Sequence, residues 1–214
     1  ILWGLFKKLV IADRVAPIVG AIFADGFAFR GYHVFFGVLA YSFQIYGDFS
    51  GGIDIATGAA QIFGVTLDKN FERPYLATSI PDYWRRWHIT LGAWFRDYVF
   101  YPLSLSKFFS RLGKRCRKLL GNYIGKLIPV LIPQFIIFFL IGIWHGADWK
   151  FVAWGMFHAA LLIGSQVFEP FFKKTTERLK INTDKFGWHL WQMARSFALC
   201  CIGRVFFRAD GIVV

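Results

Sequence analysis

Acidic residues are scarce in this chain: 13 Asp and Glu stand against 25 Lys and Arg in 214 residues, a formal net charge of +12. Between Ser104 and Lys126 there is no acid at all, while Lys107, Arg111, Lys114, Arg115, Arg117, Lys118 and Lys126 follow one another. The basic residues cluster between apolar runs and no DNA-reading motif accompanies them, so nucleic acid is not expected as a partner. Phospholipid headgroups are the simpler one. Cysteine is nearly absent too. Cys116, Cys200 and Cys201 show neither C-x-x-C spacing nor a disulfide framework, and they are read as structural or incidental. No histidines fall at H-E-x-x-H or H-x-x-x-H spacing, so no metal site is expected. A G-x-S-x-G elbow and a phosphate-binding glycine loop are missing as well. Without repeats or low-complexity linkers, residues 1–214 read as one membrane domain. The chain opens Ile1-Leu2-Trp3 and closes Gly211-Ile212-Val213-Val214, which reads as a piece of something longer.

What fills the chain is apolar. It is 56% hydrophobic and 20% aromatic, with a mean hydropathy of +0.46. A soluble domain carries about 45–50% apolar residues. The expected fold is therefore all-α, a polytopic transmembrane helical bundle with amphipathic or re-entrant helices. Residues 1–24 are too charged for an isolated span and suit a helix partly in the membrane interface. The stretch 31–67 is long and poor in charge, and as one helix it would reach roughly 50 Å. Gly47, Gly51 and Gly52 near its middle point to a broken helix or a tight hairpin.

Over 79–101, Ser79 and Asp82 form an N-cap signal ahead of an apolar run. Trp84, Trp87, His88, Leu91, Phe95 and Tyr98 then recur at three- and four-residue spacing, which predicts one amphipathic helix. The acid-free stretch 104–126 is expected as a cytoplasmic loop by the positive-inside rule. Runs 127–143 and 151–168 are each about long enough to cross a bilayer, with the turn 145–150 on the far side. A last apolar segment, 187–207, carries Arg195 and Arg204, which need a partner or a wet cavity.

Two histidines stand between tryptophans, in Trp84-Arg85-Arg86-Trp87-His88 and Trp144-His145-Gly146. A neutral imidazole can take a proton from a hydroxyl and return it, and its reference pKa lies near physiological pH. His145 ends an apolar run and is followed by a glycine of little bulk, so it is the first candidate base. His88 lies on the apolar stripe, where it could orient a substrate or stabilise developing negative charge. An aromatic belt at the membrane boundary has the same composition, so the motif alone leaves a structural role open. His158 is expected to be packed and hydrogen-bonded; His33 and His189 are expected at the interface.

At these residues the chain resembles the membrane-bound O-acyltransferase family, in particular its bacterial branch of alginate O-acetylases and teichoic-acid D-alanyl transferases. The stretches that carry the resemblance run from Gly4-Leu5-Phe6-Lys7-Lys8 through Ala12-Asp13-Arg14, then Asp48-Phe49-Ser50-Gly51, and Asn70-Phe71 with Arg73-Pro74-Tyr75. They continue through Tyr83-Trp84-Arg85-Arg86-Trp87-His88, Trp94-Phe95-Arg96-Asp97-Tyr98, Trp144-His145-Gly146 and Val205-Phe206-Phe207-Arg208-Ala209. The resemblance implies an α-helical enzyme with a tunnel, lacking here the family's early helices. It implies His145 as the catalytic histidine and His88 as the second, with Trp84, Trp87, Trp144 and Asp48 as substrate contacts. No bound cofactor is implied; an acyl thioester, acyl-CoA or acyl-carrier protein, is the co-substrate. The acceptor would be a hydroxyl of an extracytoplasmic polysaccharide or wall polymer, reached with accessory acyltransferase proteins at the plasma membrane. D-alanyl transfer to teichoic acid, a transporter and an inactive scaffold are the alternatives. Simple counting of spans puts His88 and His145 at different addresses, one on each side of the barrier.

Overall fold

Every regular element in the computed structural model, which describes residues 1–24 and 29–208, is helical. Ala209 of the last motif and the apolar 211–214 lie outside the described residues. Helix α1 (2–24) is α-helical over Leu2–Leu5, π-helical over Phe6–Ala12 and α-helical again over Asp13–Ala24. It lies along α2 (Tyr32–Ile62), which is a single continuous helix rather than a broken one or a hairpin. The glycines that suggested a break serve close packing instead. A Cβ on Gly51 would come within 2.8 Å of the Gly4 carbonyl oxygen, and one on Gly47 within 3.2 Å of the Lys7 carbonyl oxygen. Small residues let two backbones approach where lipid supplies no hydrophobic drive between helices. Gly52, off that face, meets nothing within 4 Å among the described residues. Lys7 pairs with Asp54 at 2.7 Å, and Lys8 bridges Asp48 at 2.6 Å and Asp13 at 2.9 Å. The Lys8 pairs are largely exposed, so they align the helices more than they stabilise them.

The segment 79–101 departs from one amphipathic helix. Ser79 caps α3 (Ile80–Trp84), its hydroxyl accepting from the Asp82 amide at 3.2 Å. The chain then breaks, because His88 adopts a left-handed conformation (φ 49°, ψ 53°). Helix α4 (Ile89–Phe95) follows and runs on through a π turn over Arg96–Phe100 and an α turn over Tyr101–Ser104. The preceding loop stitches the break: the Glu72 amide donates to the Arg86 carbonyl at 2.9 Å, and the Ile89 amide to the Asn70 carbonyl at 3.0 Å. Trp84, Trp87 and Phe95 face the core or its cavity as the stripe implied. Tyr98 is exposed.

The acid-free stretch is not a loop. Ser106 caps α5 (Lys107–His145), which reverses at Gly121 (φ 84°, ψ 168°) into a helical hairpin. A Cβ on Gly113 would come within 2.7 Å of Pro129 Cγ, so the basic arm 107–120 folds back along the start of the second arm. Only a residue without a Cβ takes that φ without strain. The second arm, 122–145, is roughly 36 Å long, enough for the roughly 30 Å hydrocarbon core. Among the described residues α5 is long and apolar enough to cross a membrane, and α6 (Trp149–Val167) with α7 (Glu169–Arg178), bent by 58°, adds a second if the pair is one span. Asp148 caps α6, accepting from the Lys150 amide at 3.0 Å. Helix α8 (Phe186–Arg208) packs against α2 and α6 and closes the core around Trp87, Phe138, Ile141, Trp154 and Cys200. Large apolar side chains such as Trp3, Phe35, Phe36 and Phe43 remain on the outside, which suits a hydrocarbon surround.

Candidate active site

The break at His88 and the end of α5 meet. A cavity of about 570 Å³ is lined by Asp48 and Phe49 of α2, Tyr83, Trp84, Trp87 and His88, Ile141 and His145 of α5, Trp154 and His158 of α6, and Cys200, Arg204 and Phe207 of α8. His88 and His145 therefore share one chamber instead of standing on opposite sides of a barrier. Counting spans failed here because α3 and α4 are too short to cross, and they bring His88 to the end of α5 from the side.

His88 is held by its neighbours. Its Nδ1 lies 3.1 Å from Asn70 Oδ1, which also accepts from the Thr90 hydroxyl at 2.7 Å and the Thr90 amide at 3.4 Å. A backbone amide can only donate, so the Asn70 atom is the oxygen and His88 Nδ1 carries the proton. Nε2 is then the free acceptor of a neutral imidazole. Burial pushes the His88 pKa below its ordinary value, which keeps the ring neutral at pH 7. In that state His88 is a proton acceptor, and it cannot also donate to an oxyanion. The Phe49 ring packs edge-on against it at 4.7 Å between centroids.

His145 is seated among aromatic faces, with Trp144 at 4.8 Å, Trp154 at 5.0 Å and Phe207 at 5.1 Å. Gly146 follows at φ 153°, and a Cβ there would meet the Phe151 ring at 2.7 Å. The glycine of the motif is thus required by space as well as by backbone. Trp84, Trp87 and Asp48 line the cavity. Trp144 does not. It is exposed, and it touches the site through its ring contacts with His145 at 4.8 Å and His88 at 6.3 Å.

The chamber holds residues that the sequence reading placed elsewhere. His158 is packed as expected, by Trp84 at 5.0 Å and Trp154 at 5.1 Å, but its buried Nδ1 has no hydrogen-bond partner among the described residues. Arg204 is 5% exposed. Its Nη1 donates to Ser42 Oγ at 2.8 Å and to Cys201 Sγ at 3.7 Å, and its Nη2 to the Tyr83 hydroxyl at 3.4 Å. The guanidinium also sits 4.7 Å from the Tyr75 ring and 5.9 Å from that of Trp87. Arg195, by contrast, is exposed and donates to the Thr78 carbonyl at 3.1 Å. An arginine in mid-span was the available signal for Arg204; only packing could show which arginine turns inward. Asn70 was visible as part of a motif, without a role. Among the described residues no group of three or more His, Cys, Asp or Glu could hold a metal ion.

The His88 arrangement predicts a pH effect. If neutral His88 is required, activity should rise with pH through a limb below about pH 6.5, the unperturbed histidine value. Asn70→Asp would set a carboxylate against Nδ1–H, favour the imidazolium, and move that limb to higher pH by about one pH unit. Asn70→Ala frees the ring and should cost about 10²-fold in kcat. A limb unmoved in Asn70→Asp would show that His88 does not titrate in the rate-limiting step.

Fold and cavity together define a class: a helical membrane protein whose helices enclose an aromatic chamber bearing paired imidazoles. The model of the family described as MBOAT, membrane-bound O-acyltransferase, matches residues 23–114. The chain is 38% identical over 159 residues to the peptidoglycan O-acetyltransferase of Helicobacter pylori, covering 74% of this chain and 27% of that protein. It is 33% identical over 211 residues to the "Probable alginate O-acetylase AlgI" of Pseudomonas syringae pv. tomato, covering 99% of this chain and 35% of that protein. The teichoic acid D-alanyltransferase of Bacillus subtilis is 34% identical over 134 residues, covering 63% of this chain and 31% of that protein. The chain belongs to the membrane-bound O-acyltransferase family. It spans about a third of the length of the curated relatives it matches.

Proposed function

We propose that the whole protein transfers an acyl group, acetyl in the first instance, from a thioester donor to a hydroxyl of a cell-surface polysaccharide or wall polymer. The observation that carries this reading is the meeting of His88 and His145 in one chamber, from segments far apart in the chain. His145 takes the proton of the acceptor hydroxyl, and the oxygen attacks the thioester carbonyl. As the tetrahedral intermediate collapses, the carbon–sulfur bond breaks and the imidazolium of His145 returns the proton to the leaving thiolate. His88, fixed by Asn70 with Nε2 free, accepts a hydrogen bond from a neighbouring hydroxyl of the acceptor and so orients the reacting one. Trp84, Trp87 and Phe49 exclude water from the thioester, which would otherwise be lost to hydrolysis.

The acyl donor, acyl-CoA or an acyl-carrier protein, is presented from the cytoplasm, and the chain is multi-pass in the plasma membrane. The basic arm 107–120 then lies on the cytoplasmic side, where Lys and Arg accumulate. Accessory acyltransferase proteins would help present the polymer outside. D-alanyl transfer to teichoic acid is a second reading, favoured by the Bacillus subtilis relative. To test both, the full-length protein is expressed in cells deleted for it, and the purified envelope polymers are weighed by mass spectrometry. Base-labile acetyl esters should return with the wild-type protein and be missing with a His145→Gln variant. D-alanyl esters in their place would select the second reading, and no new ester on any polymer would defeat both.

A further inference from the structure

Resting on that reading, we infer that Arg204 is a specificity-determining residue that binds a carboxylate of the substrate inside the histidine chamber. Arg204 is 5% exposed and lines the same cavity as His145 and His88. A buried charge ordinarily meets an opposite charge. Arg204 meets none among the described residues: its hydrogen-bond acceptors are a serine hydroxyl, a cysteine sulfur and a tyrosine hydroxyl, all uncharged. Three aromatic faces, Tyr75, Trp87 and Phe197, surround the rest of the guanidinium. The ring quadrupoles favour a cation, but they supply no counter-charge.

The acid on the cavity wall is already taken. Asp48 lines the chamber, but its carboxylate is bound to Lys8 at 2.6 Å. A fixed guanidinium without an acid partner, facing a chamber built for a ligand, is suited to a planar two-oxygen anion. The spacing is also suitable. Phe207 packs on His145 at 5.1 Å, and Arg204 stands three residues earlier on α8, roughly 4.5 Å along the helix axis. A carboxylate about one helical turn from the reacting carbonyl or hydroxyl therefore reaches it. Two substrates share that chemistry: a short dicarboxylic acyl group, with its free end on Arg204, and an acceptor sugar whose ring carries a carboxylate near the reacting hydroxyl.

The test uses the full-length protein in lipid nanodiscs, with binding read by quenching of tryptophan fluorescence. The probes are acetyl and succinyl thioesters of N-acetylcysteamine, and a neutral and a uronate oligosaccharide of equal length. In the wild type, one carboxylate probe should bind at least about tenfold more tightly than its neutral counterpart, as a charge-assisted hydrogen bond predicts. Preference for the succinyl thioester places the anion on the acyl group; preference for the uronate places it on the acceptor. Arg204→Met, similar in length but uncharged, should abolish the preference. His145→Ala should keep it while losing transfer, whereas a wild-type protein that binds selectively yet transfers nothing refutes the acyl-transfer reading and leaves this one standing. Equal wild-type affinity within both pairs of probes overturns the proposal, as does a preference that survives in folded Arg204→Met. If that variant does not fold, the wild-type comparison decides alone.

Discussion

Replacing His145 with Gln in the full-length protein should lower acyl transfer by about 10²–10⁴-fold, the usual contribution of a positioned general base. The substitution keeps a polar side chain of similar reach among Trp144, Trp154 and Phe207, so the cage around it stays filled. What is lost is a group that can take a proton and give it back. The loss should fall on kcat, because a substrate held by Trp84, Trp87 and Phe49 still binds. The measurement is acyl transfer by membranes carrying equal amounts of wild-type and variant protein. Activity within about threefold of wild type would remove His145 from the chemistry and leave His88, with its fixed tautomer, as the base.

Gly155→Leu should prevent the bundle from closing. A Cβ at position 155 would strike the Phe138 carbonyl oxygen, and one at Gly142 would come within 2.7 Å of the Phe151 carbonyl oxygen. These two glycines set the separation of α5 and α6, and so the distance between His145 and the Trp154–His158 wall. Neither oxygen belongs to a flexible side chain, so the helices themselves must part. Overpacking a core usually costs about 1–3 kcal/mol, and here the clash is with backbone, which cannot yield by a rotamer change. A cost above that range removes much of a total stability of about 5–15 kcal/mol and should deplete folded protein. Gly164→Ala, on the same helix with nothing within 4 Å among the described residues, is the control and should be tolerated. Extraction from membranes followed by size-exclusion chromatography reads both. A monodisperse, active Gly155→Leu protein would show that α5 and α6 pack less tightly than these distances require.

Much of the molecule was legible from local signals. The bounds of α6 and the start of α8 followed the apolar runs that begin at 151 and 187, because apolar side chains gather in the helices that bury them. Ser79 marked the start of α3, because capping is decided within one turn. The errors share a different cause. Gly47 and Gly51 suggest breaks by sequence but make helix contacts, and Gly121 reverses the chain inside a stretch whose charge suggests a loop. A glycine relaxes the backbone in either role, and only the neighbouring helix says whether it is a contact or a reversal. The periodicity over 79–101 continued through His88 although the helix did not, since the hydrogen bonds that hold the break come from Asn70 and Glu72.

The sequence by itself determined that this is an α-helical membrane protein and singled out two histidines as candidates for its chemistry, because hydropathy and motif spacing are properties of short stretches. Tertiary structure alone decided that those histidines share one chamber, that Asn70 selects the tautomer of His88, and that Arg204 rather than Arg195 turns inward. Each of these depends on the angles at which α3, α5, α6 and α8 cross. Crossing angles are set by which small residues meet across an interface, and no single stretch of sequence contains both sides of it.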